Sequence, residues 1–139
     1  MRRVVVLSLA LLLQFELLAL NKTEFVQQFE GRYLVVIGEG LPICLKVSNR
    51  KVRAVNQQDV CARLQRTSIR QNGEVCIKPD HPGASARCEL VNQSISGHWV
   101  MGEAKRPIQV YHSKQALLSA LKAKGRQGFE NPLIAPIKE

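Results

Sequence analysis

The residues of this chain that could do chemistry are four cysteines, three histidines and a surplus of cations. The cations cluster. Arg50, Lys51 and Arg53 lie at a turn and the start of the next strand, and Arg63, Arg66 and Arg70 follow. Lys105-Arg106, Lys122, Lys124 and Arg126 complete the set. Lys and Arg number 20 against 11 Asp and Glu, for a formal net charge of +9. A surface this basic attracts polyanions: sulfated glycans, anionic cell surfaces or acidic protein partners. Arginine binds sulfate and carboxylate through two parallel hydrogen bonds. Arg50, Lys51, Arg53, Arg63, Arg66 and Arg70 are therefore the candidate partner-binding residues.

Cys44, Cys61, Cys76 and Cys88 contain no C-x-x-C pair, which argues against a zinc site. An even number of cysteines in an exported chain predicts two disulfides, and four cysteines allow three pairings. The sequence does not choose among them. His81, His98 and His112 are far apart and flank no cysteine at ligand spacing. A ribonuclease-like hydrolase would need two of them to converge on one phosphate as general base and acid. Nothing in their spacing shows this, so the expectation is a non-enzyme with no cofactor. No G-x-S-x-G, H-E-x-x-H, P-loop or dinucleotide fingerprint occurs. With only Asp59 and Asp80 as aspartates, a calcium loop is not expected either.

The compartment follows from the N-terminus. Arg2 and Arg3 precede the apolar run Val4 to Leu13, the pattern of a secretory signal. Residues 1–20 are read as this leader, with an uncleaved anchor as the alternative. Its loss would remove Arg2, Arg3 and Glu16 and lower the net charge by one unit. Export leads to an oxidising compartment in which the cysteines pair. It also disfavours nucleic acid as partner, which the charge alone would permit. No later segment is apolar enough to span a membrane. Asn21-Lys22-Thr23 and Asn92-Gln93-Ser94 are sequons, making Asn21 and Asn92 candidate glycosylation sites.

These groups must be positioned by the elements between them. Lys22 to Glu30 predicts a short helix, with Thr23 as its cap and Gly31 as its stop. Arg32–Ile37, Ile43–Val47 and Lys51–Val55 read as strands, the last two joined by a turn at 48–50. Residues 56–72 fit a helical face or an edge strand. The second half leans to strand, because Asn72-Gly73 is a hairpin signal pairing 67–71 with 74–78. Strands are also expected over 87–91, 95–101 and 107–112, with Gly97 as a bulge and Trp99 in the core. Ser113 caps a helix over 114–124 that Gly125 ends. The fold class is α+β: predominantly antiparallel sheet, a short N-terminal helix, a C-terminal helix and disulfide staples. Residues 21–125 form the expected single domain and 126–139 a loose tail.

Two resemblances accompany this reading. Phe29-Glu30-Gly31-Arg32-Tyr33 running into Leu34–Ile37 resembles the opening of lipocalins, with Tyr33 where that family has tryptophan. It implies a small-ligand carrier built on a closed barrel. Asn72-Gly73-Glu74-Val75-Cys76-Ile77-Lys78-Pro79-Asp80 resembles the last hairpin strand of chemokines, although their paired N-terminal cysteines are missing. No site residue transfers from either family. The sequence-level expectation is a secreted, basic, disulfide-bonded binding protein, cytokine-like or a host-interaction ligand. It would engage an acidic receptor surface or a glycosaminoglycan. The lipocalin-like carrier and the ribonuclease-like hydrolase are the alternatives.

Overall fold

Residues 33–37 are largely apolar on both alternations, as suits a strand covered on both faces. The structure, a computed structural model describing residues 19–125, has them so covered. Strand β1 (Tyr33–Val36) points Leu34 and Val36 into one apolar core and Val35 into another. The remaining strands are β2 (Ile43–Ser48), β3 (Lys51–Ala54), β4 (Leu64–Ile69), β5 (Val75–Pro79), β6 (Arg87–Glu89), β7 (Val91–Gln93), β8 (Trp99–Met101) and β9 (Arg106–Tyr111). Helix α1 (Lys22–Phe29) precedes them and α2 (Lys114–Gly125) follows. This is the expected class: mostly antiparallel sheet, a helix near each end, two disulfides.

Six strands form one curled sheet in the order β3-β2-β1-β9-β8-β7, and β4-β5-β6 form a smaller one. The first and last strands pair, Leu34 opposite Val110 and Val36 opposite Ile108, so the meander curls back on itself. Leu90 alone separates β6 from β7, which makes one bent strand the junction between the sheets. On the other side β3 and β4 lie together without a backbone ladder. Side chains bridge this seam. Thr67 Oγ1 donates to Val52 O at 2.6 Å, Asn56 Nδ2 donates to Leu64 O at 3.1 Å, and Leu64 N donates to Asn56 Oδ1 at 3.0 Å.

Inside the curl, Leu34, Leu45, Val47, Val75, Val91 and Met101 are fully buried. Helix α1 adds Phe25 and Phe29 to the same core. Phe29 meets Phe25 edge-on at 4.9 Å between centroids and Trp99 at 5.5 Å. The cap of α1 is Asn21 and not Thr23. Asn21 Oδ1 accepts from Glu24 N at 2.9 Å and Asn21 N donates to Glu24 Oε1 at 3.0 Å. Glu24, three residues after Asn21, completes a reciprocal capping box that Thr23 has no partner to form. The second core lies outside β1. There Leu117 and Leu121 of α2 pack with Val35, Ile37 and the Cys44–Cys61 bridge. Ser113 Oγ accepts from Ala116 N at 3.0 Å and caps α2 as expected.

The disulfides are Cys44–Cys61 and Cys76–Cys88. The second joins residues directly opposite one another on β5 and β6. Residues 64–69 are strand, which decides the ambiguous stretch. The strand expected over 95–101 begins only at Trp99. Ser94 N donates to His98 O at 2.7 Å and Gly97 N to Ser94 O at 3.0 Å, closing a tight turn in which Gly97 has φ +91°. Gly97 is thus a turn residue and not a bulge. Ala19 and Leu20, which the sequence assigned to the leader, lie against β7: Ala19 bridges Asn92 and Leu20 N donates to Val91 O at 3.1 Å. Leu20 passes so close to Gly73 that a Cβ there would stand 1.9 Å from its carbonyl oxygen. The rest of the leader and the tail from 126 fall outside the described residues. No helix among the described residues is long and apolar enough to cross a membrane.

Candidate functional site: a basic groove along the seam

The turn between β2 and β3 sets the first cations. Asn49 and Arg50 both adopt the left-handed region, φ 54° and 61°, the geometry of a tight hairpin turn. The Glu30 carboxylate accepts their amides at 2.8 and 3.3 Å, fixing the turn against the end of α1. Strand alternation then does the sorting. Val52 is buried inward, while Lys51 and Arg53 are exposed on the outer face.

On β4 the register shifts between Leu64 and Arg66. This irregularity inserts one residue, so Leu64 and Ile69 both join the interior although their spacing is odd. Arg66 and Ser68 are left exposed. The seam contacts set the level of one strand against the other. Asn56 brackets Leu64, and Val52 meets Thr67, so residue numbers fall on β3 as they rise on β4. Counting along the strands from these contacts puts Arg53 level with Arg66 and Lys51 level with Ser68 across the seam.

An open groove of about 570 Å³ runs along this line. Its cations are Lys22, Arg50, Lys51, Arg53 and Arg66, and no carboxylate lines it. Among the described residues none of the five forms a side-chain ion pair. Two further lysines extend the row. Lys46 is level with Arg53 on β2, and Lys78 with Arg66 on β5. Both are engaged: Lys46 lies 4.8 Å from the Tyr33 ring centroid, and Lys78 Nζ donates to Ala84 O at 3.0 Å.

The structure therefore brings together four of the six residues singled out by sequence, Arg50, Lys51, Arg53 and Arg66. The other two point elsewhere. Arg63 pairs with Asp80 at 3.4 Å and Arg70 with Glu74 at 3.0 Å, both on the surface. Lys22 is the addition that sequence reasoning missed. It reaches the groove because Lys22 N donates to Gln71 O at 3.2 Å, which seats the start of α1 beside the β4–β5 turn. No local pattern encodes that contact.

Other candidate residues take separate places. Arg106 is mostly buried and paired with Glu89. Asn21 is exposed and serves as the α1 cap, and Asn92 is half-buried on β7 opposite Val100. His81 follows β5 and His98 precedes β8, at opposite ends of the strands. His98 is level with Gln109, three residues from His112, or about 10 Å along a strand. Tyr111 donates its hydroxyl to Gln109 at 2.8 Å, and burial raises its pKa. Among the described residues no three His, Cys, Asp or Glu gather as a metal site.

Comparison with protein families, curated proteins and solved structures finds no match. The helix, glycine turn and strand read over residues 22–37 do form, with Tyr33 beginning β1. The hairpin read at Asn72-Gly73 forms as β4–β5, and Cys76 pairs forward with Cys88.

Proposed function

We propose that the protein is an extracellular binding protein that takes an anionic partner, a sulfated glycan or an acidic receptor surface, in the groove between β3 and β4. The observation carrying this reading is the convergence of five cations from three elements on one groove with no lining carboxylate. Charges at such a groove steer association and favour one partner sign over the other. Two disulfides and the absence of a membrane-length apolar helix among the described residues are consistent with an extracellular address. Export through the 1–20 leader and glycosylation of Asn21 or Asn92 belong to the same proposal. The carrier reading would need room inside the curl, and there Phe25, Phe29, Leu45 and Met101 are packed and fully buried. The hydrolase reading would need two of the three histidines brought together at one phosphate.

Chromatography tests the proposal. The protein is expected to leave a heparin column at higher salt than a sulfonate cation exchanger. Exchanging Arg53 and Arg66 for glutamate should remove that difference, and exchanging Arg63 and Arg70 should preserve most of it. Equal elution of wild type from both columns would contradict a built site.

A further inference from the structure

Resting on the anionic-partner reading, we infer that the groove's ligand is a sulfated glycan chain, with one sulfate clamped between Arg53 and Arg66 across the seam. Like charges placed directly opposite on neighbouring strands repel. Every lining charge is positive, so no neighbouring carboxylate relieves this pair. The strands at this point share side-chain bonds and no backbone ladder. An anion between the two guanidiniums turns the repulsion into two charge-assisted contacts.

The lining also discriminates between classes of anion. Protein interfaces centre on aromatic anchors as well as arginine, packed in desolvated pockets. The groove has no aromatic residue, and Val52 and Leu64 are only 3% and 4% exposed. Beside the partly exposed Ala54 and Ile69, it offers Gln65 and Ser68, exposed and able to both donate and accept. That pairing of fixed cations with neutral hydrogen-bonding groups suits a chain carrying sulfates and hydroxyls. Lys22, Arg50 and Lys51, nearer the turn end of the seam, extend the positive track along the same chain.

Calorimetry with a heparin-derived octasaccharide and with polyglutamate of matched charge, alongside thermal unfolding of the unliganded protein in low salt, tests the inference. The octasaccharide is expected to bind about tenfold tighter than polyglutamate. Arg53→Gln and Arg66→Gln should each weaken octasaccharide binding about fivefold or more, on the scale of a lost charge-assisted pair. The double variant should lose less than the product of the two, because both residues hold one group. Both single variants should raise the unliganded unfolding midpoint, since each relieves the opposed charges. Arg63→Gln should change affinity by less than about twofold, as befits an exposed pair outside the groove. If polyglutamate binds as tightly and the groove variants weaken both ligands alike, the glycan assignment fails and the anionic-partner reading stands. If the groove variants alter neither, both fail. A lowered midpoint for Arg53→Gln would overturn the clamp.

Discussion

Exchanging Cys44 and Cys61 together for serine is expected to lower unfolding stability by roughly 4 kcal/mol in urea titrations. The bridge spans a sequence separation of 17, and freeing a loop of that size gives back about 3 kcal/mol of chain entropy to the unfolded state. The two sulfurs are also in the second apolar core, where Cys44 is 0% and Cys61 3% exposed. Serine hydroxyls there cost about 1 kcal/mol more without hydrogen-bond partners. A domain of this size has about 5–15 kcal/mol in all, so the variant should unfold partly in the physiological range. The groove should suffer as well. Cys61 lies within the connection from β3 to β4, three residues before Leu64 of the Asn56–Leu64 bracket, and losing its tether lets the seam widen. A loss below about 1 kcal/mol would contradict this role.

The second large effect is on Phe29. Phe29→Ala should cost about 3–5 kcal/mol, the range for removing a buried aromatic side chain. Phe29 is 1% exposed and holds edge contacts with both Phe25 and Trp99, so its loss leaves a cavity between α1 and the sheet. A functional consequence follows from the same geometry. Glu30, the next residue, fixes the Asn49-Arg50 turn, and Lys22 at the other end of α1 lines the groove. Loosening the helix therefore removes a cation and relaxes the turn that presents Arg50. Circular dichroism with urea should show the stability change. Heparin affinity of the folded fraction should fall with it. Full heparin affinity on a strongly destabilised background would separate α1 from the site.

Much of this fold was legible because its signals are local. Gly31, the turn at 48–50, Asn72-Gly73 and Ser113 punctuate the chain near the element boundaries observed. Strand β1 read as a buried run because both its faces are covered. Asn21 takes the cap from Thr23 because Glu24 stands three residues after it and closes the reciprocal pair. Ile95 invites a strand reading over 95–98. It is fully exposed at a turn that Gly97 makes with a left-handed backbone.

The candidate site was half legible. Arg50, Lys51 and Arg53 are neighbours in sequence, and alternation alone aims Lys51 and Arg53 outward. That Arg66 faces them depends on the β4 irregularity and on which strand lies beside β3, both non-local facts. Arg63 and Arg70 share the spacing of Arg66, but an acidic neighbour draws each away. The disulfide pairing was unreadable for the same reason. It is set by which strands come together in space.

The most direct measurement is a heparin-octasaccharide titration of the ¹⁵N-labelled protein followed by amide chemical shifts. The groove requires the perturbed amides to fall on Lys22, on Arg50 through Asn56 and on Leu64 through Ile69. Those near Lys114, Ser119 and Lys122 on α2 should hold still. Shifts spread evenly over the basic surface, or centred on α2, would show that no seam-lining cation site selects the anion.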